Sequence, residues 1–261
     1  MSPLFDLTGK VAIVTGSTKG IGLAIVKAMA EHGASVVVSS RKADVCETVA
    51  QEIRDKGGKA IVIPCNVGHK AQLQNLVDQT VAQLGGIDIV VANAGVNLYV
   101  GPSAGASDEV YERVMGTNVR SNFWLSNMVC PHLAARGGGS FTIISSIAGT
   151  LSSGTLGLYS ISKAADMALA RNIAVEWGHA NIRANAIAPG LVRTDFARAL
   201  WEDPVRYKNT VRTAPLGRIG EPNEIAGAAV WLASPSGAFT SGQTILIDGG
   251  RTAGTPLHQD D

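Results

Sequence analysis

Residues 15–22 read TGSTKGIG, and the helical pattern LAIVKAMAEHG follows directly. The apolar run Val11–Thr15 precedes them, so three glycines lie between a predicted strand and a predicted helix. Glycine permits a tight turn and a close backbone approach to a ligand, and the first turn of a helix offers free N–H groups to an anion. The spacing is GxxxGxG rather than GxGxxG, but its strand–turn–helix context indicates a dinucleotide-binding turn.

Short apolar runs continue along the chain, separated by amphipathic stretches of helical length. They are Val36–Ser40, Ala60–Pro64, Ile87–Ala92, Phe141–Ser145, Arg183–Ile187 and Thr244–Ile247. Apolar strands that alternate with helices predict a doubly wound, Rossmann-type α/β fold, with seven parallel strands and helices on both faces. No linker or repeat interrupts the pattern, so residues 1–250 are predicted to form one domain, and residues 251–261 a loosely held C-terminal tail.

The composition narrows the class of protein further. Of 261 residues, 46% are hydrophobic and 16% charged, which excludes a disordered chain and predicts a large core. The net charge of +1 predicts no nucleic-acid or membrane partner, and therefore a small-molecule one. Neither a leader segment nor a membrane span is evident, so we expect a cytoplasmic protein. Three isolated cysteines and five scattered histidines predict neither disulfides nor a metal site.

The end of the second predicted strand indicates which nicotinamide cofactor fits. A ribose 2′-hydroxyl is usually bound there by an acidic residue, whereas a 2′-phosphate requires cations. This chain has Ser40 at the acidic position, followed by Arg41 and Lys42, while Lys19 lies within the glycine turn. The pattern therefore favours NADP(H), with NAD(H) still possible.

Tyr159 and Lys163 are one helical turn apart, and both project from one face of a predicted helix. A free phenol ionises near pH ~10, but an ammonium about 4 Å away favours the phenolate, against the opposing effect of desolvation. The phenol could then exchange a proton with an alcohol or carbonyl oxygen. Ser146, at the end of the predicted fifth strand, could hold that oxygen while hydride moves between the substrate carbon and nicotinamide.

These motifs resemble the short-chain dehydrogenase/reductase family over roughly residues 7–250. Their order and spacing match: TGSTKGIG at 15–22, NAG at 93–95, Asn118 in GTNV, Ser146, YSISK at 159–163 and PGLVRT at 189–194. The resemblance implies four catalytic residues. Tyr159 would be the acid/base, Ser146 would orient the carbonyl, Lys163 would bind the nicotinamide ribose, and Asn118 would hold a water linking Lys163 to solvent.

The resemblance also implies contacts with the cofactor. The turn glycines would meet the pyrophosphate, Asn93 would support the adenosine side, and Thr194 would fix the carboxamide. Asn66 stands where the family usually has Asp, and its amide carbonyl could still accept a hydrogen bond from adenine. The complete predicted set is Gly16, Ser17, Thr18, Lys19, Gly20, Ile21, Gly22, Ser40, Arg41, Lys42, Asn66, Val67, Asn93, Ala94, Gly95, Tyr159, Lys163, Pro189, Gly190, Val192 and Thr194.

A long insertion at residues 190–221 is predicted to be a substrate lid. The predicted substrate residues are Leu98, Ser146, Leu151, Phe196, Leu200 and Trp201. Because most are apolar, they favour a carbonyl on a hydrophobic skeleton, and therefore a carbonyl or ketone reductase or a secondary-alcohol dehydrogenase. Arg193 and Arg198 leave a 3-oxoacyl-thioester reductase as an alternative. A non-catalytic, cofactor-binding regulator is a further one, although such proteins usually lose the Tyr or the Lys.

Self-association is predicted from two helical segments. The helix carrying Tyr159 is rich in alanine, which allows a second helix to approach closely, and Phe123 and Trp124 stand on the preceding one. The family resemblance implies a homotetramer built through these two helices and the last strand. A homodimer, and packing of the two helices within one subunit, remain the alternatives.

Overall fold

A parallel sheet forms the centre of the computed structural model, which describes residues 3–254. The strands are β1 Val11–Thr15, β2 Ser35–Ser39, β3 Lys59–Val62, β4 Ile89–Ala92, β5 Gly139–Ile144, β6 Ile182–Pro189 and β7 Thr244–Ile247. The helices are α1 Gly20–Glu31, α2 Ala43–Asp55, α3 Lys70–Leu84, α4 Asp108–Met115, α5 Ser121–Ala135, α6 Gly157–Trp177, α7 Arg198–Trp201, α8 Pro204–Arg212 and α9 Pro222–Ala233. All seven predicted strands are present, with ends shifted by at most a few residues.

The order of the strands locates the ligand crevice. The sheet runs β3-β2-β1-β4-β5-β6-β7, and every neighbouring pair is parallel. From β1 the chain builds outward to β3, then returns to pair β4 with the other side of β1. In open parallel sheets, ligands bind beyond the carboxyl ends of the strands where the order reverses. The crevice therefore lies beyond β1 and β4.

Two helical layers cover the sheet. Buried side chains of α1, α2 and α9 pack on one face, and those of α3, α5 and α6 pack on the other. The alternate residues Val36 and Val38 of β2 face the first layer, whereas Val37 faces the second. Strands buried on both faces explain the nearly continuous apolar runs in the sequence. The predicted doubly wound, Rossmann-type single domain is confirmed.

Two irregular segments interrupt this regular pattern near the crevice. A π-helical turn, Gly116–Arg120, joins α4 to α5 and carries Asn118. Such turns are rare and often occur at functional sites. The insertion at residues 190–221 contains a 3₁₀ turn, Asp195–Ala197, followed by α7 and α8, which fits the predicted short helical patches.

The predicted tail is described only in its first residues. The carboxylate of Asp248 accepts hydrogen bonds from the backbone N of Thr252 at 2.7 Å and from its Oγ1 at 2.6 Å. The chain is therefore tied to the end of β7 through Thr252. The rest of the predicted tail, residues 255–261, lies outside the described residues.

Candidate active site

The glycine turn at residues 16–22 connects β1 to α1, and its glycines stand at positions that do not accommodate a side chain. Gly16 and Gly20 have φ angles of 66° and 52°, which L side chains rarely adopt. A Cβ at Gly22 would lie 2.4 Å from both Asn93 Nδ2 and the Gly16 carbonyl oxygen. Lys19, the residue before α1, provides no side-chain cap, so the first backbone N–H groups of α1 are free to bind an anion. The residues therefore fit a dinucleotide pyrophosphate.

The turn is braced from β4 by Asn93. Its Nδ2 donates to the carbonyl oxygens of Thr15 at 2.9 Å and Gly16 at 3.2 Å. In return, the Thr15 hydroxyl accepts from the backbone N of Asn93 at 3.0 Å and of Ala94 at 3.1 Å. These bonds give Asn93 a bracing role behind the turn, a function that its spacing alone did not predict.

Ser17 lies behind the turn as well. It is fully buried, its backbone N donates to the Ser39 carbonyl at 3.1 Å, and its Oγ accepts from the Ser39 backbone N at 2.8 Å. Both polar groups hold the end of β2, and the predicted cofactor contact of Ser17 stays a prediction.

The end of β2 presents hydroxyls and cations toward the crevice. Thr18 Oγ1 donates to Ser40 Oγ at 3.1 Å, and Ser40 Oγ lies 3.3 Å from Cys46 Sγ. Arg41 and Lys42 follow and are exposed. Hydroxyls and cations therefore follow one another at the end of β2, as in the sequence.

Asn66 lies beyond β3. Its Oδ1 accepts from the backbone N of Gly68 at 3.2 Å, while its own backbone N donates to Gln72 Oε1 at 2.8 Å. A carbonyl oxygen has two lone pairs, so the amide retains capacity for one further donor. The adjacent Val67 is buried.

Ser146 lies directly beyond β5, in extended backbone that leads into a 3₁₀ turn. Its Oγ accepts from the backbone N of Ala148 at 3.1 Å, which leaves the hydroxyl hydrogen available to a substrate oxygen. The turn packs closely on α6, since a Cβ at Gly149 would lie 2.7 Å from the carbonyl carbon of Lys163. Ser145 Oγ also donates to the Lys163 carbonyl at 2.8 Å. Ser146 is thereby fixed beside the helix that carries the predicted acid/base.

Tyr159 and Lys163 occupy one face of α6, as predicted. Lys163 Nζ lies 5.9 Å from the centroid of the Tyr159 ring. The ammonium donates to the Ile144 carbonyl and to Asp166 Oδ2, both at 2.9 Å. A Cβ added at Gly95 would lie 3.6 Å from Lys163 Nζ, so the loop after β4 reaches this ammonium as well as the glycine turn.

Asn118 is completely buried beneath this pair. Its Oδ1 accepts from the Val96 backbone N at 2.8 Å, and its Nδ2 donates to the Val96 carbonyl at 2.9 Å and to Ser162 Oγ at 3.0 Å. Ser162 Oγ donates in turn to the Tyr159 carbonyl at 2.7 Å. The structure therefore shows Asn118 joining β4, the π-helical turn and α6, while its predicted role in holding a water stays a prediction.

Sequence reasoning missed two further residues, Asn122 and Asp166. Asn122 Nδ2 donates to Asp166 Oδ1 at 2.9 Å and to the Asn118 carbonyl at 2.7 Å. Burial lowers the pKa of Lys163, but the charges of Asp166 and Tyr159 outweigh burial and raise that pKa above its usual value. The signal in the sequence was the spacing, because Asp166 follows Lys163 by three positions on a helix face that is otherwise apolar.

The insertion at residues 190–221, predicted to be a lid, begins close to the glycine turn and to Tyr159. Its Thr194 methyl would lie 3.0 Å from a Cβ at Gly20, and Phe196 stands 6.3 Å from Tyr159 between ring centroids. Trp201 Nε1 donates to the Thr194 carbonyl at 3.0 Å. The structure thus brings Thr194, Phe196 and Trp201 together near the glycine turn and Tyr159.

A cavity of about 180 Å³ lies beneath the lid. Its lining combines apolar residues such as Ile147 and Leu216 with four charged residues, Arg218, Glu224, Asp248 and Arg251. Sequence reasoning missed these residues, although the position of Ile147 immediately after Ser146 was a signal. All six predicted substrate residues are described, and none lines this cavity. Leu98, Phe196 and Leu200 are instead exposed.

Two other kinds of site are absent from residues 3–254. No helix there has the length and apolar character needed to cross a membrane. The same part of the chain contains no cluster of three or more His, Cys, Asp or Glu residues that could hold a metal ion.

The class of protein follows from this arrangement. A glycine cradle at the switch point of a parallel sheet, with a Tyr–Lys pair beside it, defines a dinucleotide-dependent oxidoreductase. A family model described as enoyl-(acyl carrier protein) reductase matches residues 16–252. Dehydrogenase/reductase SDR family member 4 of Bos taurus is 40% identical over 244 residues, covering 94% of this chain and 88% of that protein.

Two solved structures are similar throughout. Gluconate 5-dehydrogenase from Burkholderia cenocepacia J2315, in complex with NADP and tartrate, is 34% identical with a TM-score of 0.93, covering 97% of this chain and 98% of that one. A 7α-hydroxysteroid dehydrogenase complexed with NADH and 7-oxo glycochenodeoxycholic acid is 37% identical with a TM-score of 0.92, covering 96% and 97%. The chain belongs to the short-chain dehydrogenase/reductase family and is a nicotinamide-dependent oxidoreductase. The regulator hypothesis is therefore set aside.

Proposed function

We propose that the protein is an NADP(H)-dependent carbonyl reductase that interconverts a ketone and a secondary alcohol on a moderately hydrophobic skeleton. The observation that carries this proposal is the placement of Tyr159 one turn from the Lys163 ammonium, with Phe196 of the lid 6.3 Å from its ring. This combines a proton donor with an apolar cover that keeps water from the reacting carbon.

The residues divide the reaction between them. When bound, the cofactor supplies the hydride that reaches the carbonyl carbon. Tyr159 Oη donates the proton that converts the carbonyl oxygen to a hydroxyl, and the reverse transfer applies to alcohol oxidation. The free hydroxyl hydrogen of Ser146 orients that oxygen. Lys163 stabilises the phenolate left behind and holds the nicotinamide ribose.

The preference for NADP(H) is supported by the groups around β2. Ser40 replaces the acid that would repel a 2′-phosphate, and Arg41 and Lys19 are exposed cations near the turn. Lys19 Nζ lies 3.9 Å from Asp195 of the lid, and both side chains are more than half exposed. A pair so open to water is weak, so Lys19 is free to bind a phosphate instead.

The apolar substrate class is supported by the ring of Phe196, which lies beside Tyr159. The 3-oxoacyl-thioester reductase remains the second candidate, because the family model that matches residues 16–252 is described as enoyl-(acyl carrier protein) reductase. Both arginines proposed to hold an acidic substrate lie in exposed ion pairs, which water weakens. Arg193 Nε donates to Glu221 at 3.1 Å, and Arg198 forms ion pairs with Asp195 and Glu202.

We also propose a homotetramer. The outward faces of α5 and α6 expose Phe123, Ile161 and Val175, and Leu246 on the edge strand β7 and Phe239 before it are exposed too. Large exposed apolar side chains on two separate surfaces suit two kinds of subunit contact. A mass four times that of the chain, measured by light scattering, supports the proposal, and a monomer contradicts it. The cytoplasmic location stays a prediction from the sequence.

The activity is tested by following NADPH consumption with a panel of aliphatic, cyclic and aromatic ketones, and NADP⁺ reduction with the matching alcohols. We expect turnover with apolar ketones and little with sugars or polyols, whose hydroxyls lack buried partners in an apolar pocket. The same panel with NADH measures the cofactor preference. Absence of turnover with every carbonyl and either cofactor would contradict the proposal.

A further inference from the structure

A buried carboxylate lies against the catalytic pair. Asp166 is fully buried, and so is nearly all of Lys163, whose Nζ is 2.9 Å from Asp166 Oδ2. A carboxylate so far from water is costly unless it is paired and hydrogen-bonded. The four catalytic residues that the family resemblance implies do not include it, so its presence needs a separate explanation.

The carboxylate has partners on both oxygens. Oδ2 accepts from Lys163, and Oδ1 accepts from Asn122 Nδ2 at 2.9 Å. Asn122 is fixed in turn by its bond to the Asn118 carbonyl in the π-helical turn. The ammonium is therefore held between two acceptors, Asp166 and the Ile144 carbonyl, and two of its three hydrogens are directed away from substrate. The third can reach a ribose hydroxyl.

We infer that Asp166 is a positioning residue for the Tyr159–Lys163 pair, which fixes the Lys163 ammonium and sets the pH range over which the pair exchanges its proton. The inference rests on the proposed function and assigns a preferred direction to it. A negative charge beside the pair opposes loss of the pair's proton, which suits the enzyme to donate a proton, and therefore to reduce a carbonyl.

The charge of Asp166 decides how readily the pair loses its proton. Burial raises the pKa of Asp166, whereas the charge of Lys163 and the hydrogen bonds from Lys163 and Asn122 favour the ionised carboxylate. While Asp166 is ionised, the Asp166–Lys163 pair is neutral, and loss of a proton from Tyr159 leaves one net negative charge in a buried site. Without the carboxylate, the same loss leaves a neutral phenolate–ammonium pair. Because Tyr159 and Lys163 are coupled, the observed midpoint belongs to the pair. Removing a neighbouring negative charge moves that midpoint to lower pH whichever of the two groups loses the proton.

No other charge on the surrounding elements accounts for this effect among the described residues. From α5 and the π-helical turn, the neutral amides of Asn122 and Asn118 face the site, and from β5 the Ile144 carbonyl does so. Tyr159 is the one titratable group besides Asp166 that raises the pKa of Lys163. Asp166 is therefore the residue whose charge the experiment must remove.

The test uses Asp166→Asn, which removes the charge and keeps the shape, and measures kcat/KM for alcohol oxidation from acid to alkaline pH. We expect the midpoint to move to lower pH by about one unit. Asp166→Leu, which removes the charge with an apolar side chain, should shift it in the same direction. The ultraviolet absorbance of the phenolate, taken as the difference from Tyr159→Phe, should also appear at lower pH in both variants.

Asn122→Ala is the matched control. It breaks the same buried network and retains the carboxylate, so we expect lower thermal stability with a midpoint within about 0.3 units of the parent's. A purely structural role for Asp166 predicts instead that all three variants lose stability and keep the parent profile. Unshifted Asp166 variants, or an equal shift in Asn122→Ala, would overturn the inference.

The parent enzyme supplies a measurement that does not depend on how the variants fold. Its oxidation midpoint should lie above about pH 8, so that reduction is nearly constant through neutrality. A midpoint below neutrality overturns the inference and leaves the reductase assignment intact. Absence of turnover with every substrate is a different outcome, because it overturns the proposed function itself.

Discussion

The active site is built from two regions with opposite physical character. Beneath the substrate position, Asp166 and Lys163 form an ion pair at 2.9 Å that is almost completely buried. Above it, the lid is held by pairs such as Lys19–Asp195 at 3.9 Å, in which both side chains are mostly exposed. Burial strengthens electrostatic effects, whereas water screens exposed pairs to about 0–1 kcal/mol. We therefore expect cofactor geometry and proton transfer to depend on the buried floor, and substrate choice on the exposed insertion above it.

The largest expected effect is at the rigid cradle. Gly22→Ala places a Cβ 2.4 Å from Asn93 Nδ2 and from the Gly16 carbonyl, both of which are fixed. We expect NADPH binding, followed by fluorescence titration, to weaken by about 100-fold or more. Gly227→Ala, on α9 with open space around the added Cβ, is the control and should bind as the parent does. Equal binding by the Gly22 variant would mean that the turn does not hold the cofactor.

Cofactor preference should respond next. Arg41→Ala removes an exposed cation that is placed to pair with a 2′-phosphate, so the Kd for NADPH should rise about tenfold, while that for NADH should change less than about twofold. Arg113 is an exposed arginine on α4, away from the end of β2, and Arg113→Ala serves as the control. Equal weakening of both cofactors would remove the basis for assigning NADP(H).

The lid should affect substrate more than cofactor. Phe196→Ala removes the ring beside Tyr159, and we expect KM for an apolar ketone to rise about fivefold to tenfold with little change in the Kd for NADPH. Steady-state kinetics with saturating cofactor measures the first effect. A variant that loses affinity for NADPH but keeps the parent's KM for the ketone would show that Phe196 acts on the cofactor rather than on the substrate.

The smallest effect should come from the exposed charges. Asp195→Asn breaks the pairs with Lys19 and Arg198, and we expect kcat and KM to change by less than about twofold and the thermal stability to stay close to the parent's. If Asp195→Asn lowers activity or stability as much as Asp166→Asn does, the buried and exposed regions do not differ in the way described.

The fold could be predicted from the sequence because each strand is apolar on both faces and each helix repeats its own period. The glycine turn, Tyr159 and Lys163 could be predicted because their spacing is local. Ser17 could not be placed, since its burial depends on pairing between β1 and β2. Asp166 and Asn122 were missed for a similar reason. The hydrogen bond between them forms only when α5 and α6 pack against each other, which the sequence does not show. The cavity residues depend on how the lid returns to β7.

The most direct test of the account is single-turnover reduction of a ketone by the enzyme–NADPH complex, comparing the parent with Tyr159→Phe. The variant keeps the ring that contacts Phe196 and loses only the proton donor, so we expect NADPH affinity within about threefold of the parent's and a chemical step slower by about three orders of magnitude or more. Tyr111→Phe, at an exposed position on α4, should match the parent in both. Parent-like reduction by Tyr159→Phe would contradict the central claim that this phenol supplies the proton.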